Sequence, residues 1–200
     1  MALHNIILNS PTGRLQLAPA DGANDEANAK IRCHAVTRQY LRLLPEHCST
    51  EDARKLREER LTDPSKLEFH VYTVDKDGNK QFVGGTMIFY IDESQKSCEV
   101  GIILSADVHR GGVATDVFYA LLTYIFEERG FHRVTFETSA ENLAMRGWLE
   151  KVADARLESR RVEAWKDVGD GGYSDVTGYA ILDREWKERV KANLARKLGL

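Results

Sequence analysis

Hydrophobic positions along the chain keep a period of two in some stretches and a helical period in others. "TGRLQLAPA" (12–20) alternates around Leu15 and Leu17 and predicts an opening strand. "DGANDEANAK" is polar and small, a loop or helix start. From Ile31 to Leu61 the residues favour helix, broken at Pro45, with Ser49 and Thr50 as caps for "STEDARKLREERL". This section has few large apolar residues and should lie over one face of a core. "LEFHVYTV", "QFVGGTMIFYI" and "SCEVGIIL" then read as three strands, joined through "DKDGN" and "DESQK" into an antiparallel meander. Over 113–129, Val113, Val117, Phe118, Leu121, Leu122, Ile125 and Phe126 share one helical stripe, and Gly130 stands where a left-handed C-cap belongs. "HRVTFET" is a fifth short strand, "NLAMRGWLEKV" a helix, "ARLESRRVEAW" a strand and "DVGDGGYSD" a polar loop. "DVTGYAIL" is the last strand. In "DREWKERVKANLARKL", Trp186, Val190 and Leu194 fall at helical spacing, for docking on the core or on a partner subunit.

This order predicts an α+β fold in one domain over 1–200, with a core at 12–182 and a C-terminal helix at 183–198. The expected sheet is mixed, mostly antiparallel, of about seven strands flanked by helices.

Composition narrows the function. Hydrophobic content of 42% and charged content of 30% are those of an ordinary globular protein, and a net charge of −3 speaks against a dedicated nucleic-acid binder. Cys33, Cys48 and Cys98 are odd in number and widely spaced, with no CxxC, which predicts free or buried thiols in a reducing compartment and no metal site. The start "MALHNIILNS" lacks a basic n-region, and no apolar run approaches the roughly 20 residues that span a bilayer. The expectation is a cytoplasmic protein with neither membrane nor nucleic acid as partner. His4, His34, His47, His70 and His132 show no ligand spacing.

The chemistry-bearing stretch is "VHRGGVATDVFYALLTYIFEERGF" (108–131). Glycine inside a helix costs roughly 1 kcal/mol relative to alanine, so Gly111 and Gly112 serve something other than helix stability. A plain turn or close packing would explain them. So would an anion held against bare backbone at a helix N-terminus. No lysine follows for a Walker loop, and "GGVATD" does not fit a dinucleotide GxGxxG.

His109-Arg110-Gly111-Gly112-Val113-Ala114 resembles the acyl-coenzyme A loop, [QR]xxGx[GA], of the GNAT superfamily of N-acetyltransferases, with His109 in place of the usual Gln or Arg. "TGRLQLAPA", "CEVGIILSADVHRGGVAT", "ENLAMRGWLEKVADARLES" and "GYAILDREW" are similar, in order, to stretches of the RimJ/RimL-like branch, ribosomal-protein N-terminal acetyltransferases and their kin. The resemblance spans nearly the whole chain; 24–66 is its least diagnostic part. It implies an acetyl-CoA-dependent N-acetyltransferase acting on a protein N-terminal α-amine or a small-molecule amine, as a monomer or homodimer, with acetyl-CoA as cosubstrate and no metal. A non-catalytic coenzyme A-binding sensor or scaffold is the alternative.

The resemblance further implies that the fourth and fifth predicted strands splay to hold the cofactor. Backbone groups of Ile102, Ile103 and Leu104 would hold the pantetheine arm, with an N–H near Ile103 on the thioester oxygen. The N–H groups of His109, Arg110, Gly111, Gly112, Val113 and Ala114 would hold the pyrophosphate, helped by the Thr115 hydroxyl. Asn142 would touch the arm, and Arg110 and Arg146 the phosphates. Glu99 matches the family's strand glutamate and is the expected base. Met145 stands where relatives carry a serine acid, so Tyr179, or second Tyr173, is the expected acid. Alternation puts Glu99 on one face with Gly101 and Ile103. A lysine amine (pKa ~10.4) is almost wholly protonated at neutral pH, an α-amine (~7.7–8.0) much less so, and deprotonating the acceptor is the enzyme's main task. The acceptor pocket would form from the 24–66 helices and the 167–174 loop, where Glu51, Asp52, Asp167, Asp170 and Asp175 are available to attract a cationic amine. "KVADARLES" lacks the family's Gly-Phe, and Ala106 replaces a common proline.

Overall fold

The period-two stretches all fold into one sheet. The computed structural model describes residues 4–169 and 171–200. Its strands are β1 (Leu8–Asn9), β2 (Leu15–Pro19), β3 (Leu67–Val74), β4 (Lys80–Asp92), β5 (Ser97–Leu104), β6 (Arg133–Ser139), β7 (Arg156–Lys166) and β8 (Tyr173–Leu182). They lie in the order β1-β2-β3-β4-β5-β6-β8-β7, antiparallel throughout except β5 with β6. The expected seven strands are β2 to β8. The eighth, β1, pairs only Leu8 with Leu17 and Asn9 with Gln16, too short a run to show alternation.

The helices are α1 (Asp25–Cys33), α2 (Ala35–Arg38), α3 (Thr50–Leu61), α4 (Val113–Thr123), α5 (Leu143–Lys151), α6 (Asp183–Glu185) and α7 (Lys191–Leu198). Ser49 caps α3 reciprocally: its hydroxyl accepts from the Asp52 N–H at 3.1 Å, and the Asp52 carboxylate accepts from the Ser49 N–H at 2.9 Å. α4 widens into a π-turn over Tyr124–Glu128 and stops at Gly130, whose φ of 62° is left-handed as expected. A second π-turn, Trp186–Val190, joins α6 to α7. Trp186, Val190 and Leu194 are each 0% exposed, so the terminal helix docks on this chain's own core.

Strand pairing divides the sheet into two faces. On one, Phe69, Val100, Val134, Phe136 and Ile181 pack with Phe118, Leu121 and Leu122 of α4 in a single core. Each such side chain contributes roughly 1.5–3 kcal/mol by leaving water. On the other face the rows run His70–Gly85–Ile103 and Glu68–Met87–Gly101, with Glu99 one pair further on. Here α1 and α3 are fastened through Asn24 to the Tyr72 hydroxyl (2.8 Å) and Arg60 to Glu68. The three cysteines are free, and Cys98 is buried, its thiol pushed up to about 12 by burial.

β5 and β6 pair only from Ser97–Glu99 to Arg133–Thr135 and then part. Beyond that point β5 stays with β4, as far as Leu104 on Gly84, while β6 stays with β8, as far as Ser139 on Val176. Gly84 permits the first grip: its φ is 143°, and a Cβ there would lie 2.2 Å from the Ile103 carbonyl oxygen.

Candidate active site

The end of β5 leads through residues 105–112 to the mouth of α4, past the point where β5 and β6 have parted. Gly112 is the N-cap of α4, left-handed at φ 80°, and has no side chain to accept from the first turn. Among the described residues, the N–H groups of Gly112, Val113 and Ala114 have no protein acceptor. They point out of the positive end of a helix, an arrangement that fits a phosphate group. Arg110, exposed and left-handed at φ 62°, carries no ion pair among the described residues. His109, exposed as well, donates from Nε2 to the Leu104 carbonyl at 3.3 Å. Thr115 is 3% exposed, and its hydroxyl accepts from the Trp148 indole at 2.9 Å, so its side chain belongs to the core.

On β5, backbone direction decides which amides face the gap. Gly101 accepts from the Thr86 hydroxyl through its carbonyl, and the Ser105 N–H donates to Val83, both on the β4 side. Strand geometry then turns Val100, Ile102 and Leu104 toward the splay and Ile103 toward β4. Of the backbone groups expected on the arm, Ile102 and Leu104 thus face the gap together with Val100, and Ile103 faces β4.

Glu99 sits where the strands part. Its carboxyl has no hydrogen-bond or ion-pair partner among the described residues, and burial, with Glu137 nearby, raises its pKa to about 7 against a smaller pull from Arg161. Arg161 itself is paired with Glu137. A half-buried, unpaired carboxyl titrating near neutrality has the properties of a general base.

The expected acid does not share this face. Tyr179 pairs with Phe136 on the core side, whereas Glu99 pairs with Thr135 on the other. Tyr179 is 1% exposed, and its hydroxyl donates to Glu150 at 2.6 Å and accepts from Arg146 at 3.3 Å. Burial first, and the bond to Glu150 second, raise its pKa. This is the setting of a core tyrosine. Arg146, which also donates to the Ala140 carbonyl at 2.8 Å, is committed to the same network rather than free for phosphate. Asn142 caps α5: its Oδ1 accepts from the Met145 N–H at 3.1 Å and its Nδ2 donates to Thr138 at 3.0 Å. Tyr173 is exposed at the start of β8.

The acidic residues expected to draw a cationic amine are already matched. Asp167 and Glu141 share Arg42, Asp175 meets Arg160, Glu51 meets Arg54 and Lys55, and Asp52 serves the α3 cap. Asp170 lies outside the described residues. Sequence reasoning missed Gly84, the Glu137–Arg161 pair and Arg42. The adjacent glycines in "FVGGTM" were the one available signal, for Gly84.

Comparison with known proteins identifies the family. Residues 14–153 match the family model "Acetyltransferase (GNAT) domain". The chain belongs to the GNAT acetyltransferase family and is an acyltransferase of its acetyl-CoA-dependent kind. It is 25% identical over 148 residues to the uncharacterized N-acetyltransferase YnaD of Bacillus subtilis (strain 168), covering 73% of this chain and 82% of that one. Its fold is similar to that of Mycobacterium smegmatis RimJ in complex with CoA-disulfide (TM-score 0.75, 20% identity, 100% of this chain and 98% of that one). It is also similar to that of spermidine N-acetyltransferase from Vibrio cholerae in complex with CoA and spermine (TM-score 0.74, 19% identity, 88% and 99%). Among the described residues no helix is long and apolar enough to cross a membrane.

Proposed function

We propose that the protein transfers an acetyl group to a primary amine by direct attack, with Glu99 as general base. The unpartnered Glu99 carboxyl at the point of the splay carries this reading. Acetyl-CoA, when bound, supplies the thioester-activated acetyl group. Gly112, Val113 and Ala114 offer bare N–H groups for the pyrophosphate, Arg110 an exposed cation, and Val100, Ile102 and Leu104 a free strand edge for the arm. The Ile102 amide, facing the gap and free of β6, is the donor for the thioester oxygen.

With a pKa of about 7, Glu99 is largely ionised just above neutrality and accepts a proton from an ammonium of pKa ~7.7–8.0 at little cost. A lysine or polyamine nitrogen near 10.4 would demand some two further powers of ten. The match therefore favours an α-amine, such as the N-terminus of a polypeptide. A thiolate of ordinary thiol pKa leaves readily, so no acid from Tyr179 is required. The test is kcat with an α-amine peptide, followed by coenzyme A release. Glu99→Gln should abolish turnover and leave acetyl-CoA binding intact; unchanged turnover refutes the assignment.

A further inference from the structure

At the open end of the splay, three separate segments are drawn together by one arginine. Arg42, in the stretch between α2 and α3, donates from Nη2 to Glu141 at 3.1 Å and lies 3.6 Å from Asp167 through Nη1. Its carbonyl accepts from the Val168 N–H at 2.8 Å. Asp167 is fixed on its other side by the Ser174 hydroxyl at 2.6 Å. The clasp therefore ties the 39–49 stretch to the start of α5 and to the β7–β8 loop.

Each tied segment presents an apolar side chain to solvent beside its charged anchor. Leu43 follows Arg42, Leu143 stands two residues after Glu141, Val168 follows Asp167, and Tyr173 precedes Ser174. They are 40%, 70%, 47% and 56% exposed. Large apolar side chains grouped around a site entrance mark a contact surface. The carboxylates there are all spoken for: Glu46 by Arg38 (2.9 Å), Glu141 and Asp167 by Arg42, Asp175 by Arg160 (3.4 Å), Glu137 by Arg161. Among the described residues, these five carboxylates share four arginines, so the rim offers a polycation a single net negative charge and an apolar chain four places to rest.

The reach fits a peptide. Glu99 is level with Thr135 on β6, and Ser139 ends that strand four residues later, about 13 Å away at ~3.3 Å per residue. An extended peptide advances 3.3–3.6 Å per residue, so an amine at Glu99 brings the third and fourth residues to the rim. We propose that Leu43, Leu143, Val168 and Tyr173 form a recognition collar for a polypeptide acceptor with bulky apolar side chains at its third and fourth positions. This rests on the transferase reading above.

The experiment compares two eight-residue peptides with free N-termini, identical except for Leu-Phe or Ser-Gln at positions three and four, with spermidine and phenethylamine alongside. Coenzyme A release is followed for the wild type, Leu43→Ser and Val168→Ser. Partial burial of two large side chains predicts a kcat/KM ratio of at least about 30 for Leu-Phe over Ser-Gln, carried by KM. Each substitution should cut that ratio about fivefold or more. Both positions are exposed, so the variants should fold, which thermal unfolding with acetyl-CoA verifies. A wild-type ratio near one, a ratio untouched in both variants, or a higher kcat/KM for spermidine or phenethylamine overturns the collar and leaves the transferase reading standing. No turnover of any amine by protein that binds acetyl-CoA refutes the transferase reading and the collar together.

Discussion

Replacing Glu99 by glutamine should remove activity and add stability. In the folded chain its carboxyl titrates at about 7, against an ordinary 4.5, chiefly because burial disfavours the charge. The folded state therefore holds this proton more tightly than the unfolded chain does. Its contribution to stability is whole below about pH 4.5 and is lost as pH rises through 7. At ~1.4 kcal/mol per tenfold in acidity, the loss at pH 8 reaches at most about 3 kcal/mol, and about 2 kcal/mol once solvent screening is allowed for. Glutamine keeps the shape without the charge. For a chain of this size the gain corresponds to a rise in Tm of about 4–8 °C at pH 8, and little change at pH 4.5. Turnover moves the other way: losing a general base costs 10²–10⁴-fold in kcat, and the acidic limb of the wild-type profile, with its midpoint near 7, should disappear. Scanning calorimetry at the two pH values and a kcat–pH profile are the assays. An unchanged or lowered Tm at pH 8, with kcat within threefold of wild type, would refute both the burial argument and the assignment of the base.

Three other substitutions follow from the geometry. Gly84→Ala puts a Cβ against the Ile103 carbonyl and should cost more than about 3 kcal/mol in chemical denaturation, whereas a loss under 1 kcal/mol would mean that β4 and β5 adjust freely. Gly112→Ala, with no steric neighbour but a φ of 80°, should cost about 1 kcal/mol of stability and weaken acetyl-CoA binding tenfold or more by titration calorimetry; unchanged affinity would remove the loop from the cofactor site. Tyr179→Phe should lower stability by about 1 kcal/mol, since Glu150 and Arg146 lose a partner, and leave kcat within threefold. A hundredfold loss of kcat would restore Tyr179 as the acid.

Most of the fold was legible because period-two and helical runs differ so plainly on either side of Leu104. Leu15 and Leu17 marked a strand, the stripe from Val113 to Phe126 marked α4, and Ser49 and Gly130 marked helix ends. β1 escaped because two residues carry no period. The π-turns at Tyr124–Glu128 and Trp186–Val190 escaped because one extra residue per turn barely shifts a hydrophobic stripe. At the site, residue types that act through backbone leave a local mark, as the paired glycines before α4 do. Side chains whose role depends on which face they take were harder to read. Tyr179 looked available in sequence, and only the Phe136–Tyr179 pairing puts it in the core. Arg42, Glu141 and Asp167 meet from three distant segments, so no local pattern could have joined them. Thr115 and Arg146 show the same limit, each already bonded within the chain.

The central claim is that bare backbone at the mouth of α4 receives acetyl-CoA, and thermal unfolding tests it most directly. With acetyl-CoA at about 100 times its Kd, the account predicts ~2.7 kcal/mol of added stability and a midpoint higher by several degrees, a shift that Gly112→Ala cuts to about half or less at the same concentration. No shift in folded, cofactor-free wild-type protein would contradict it.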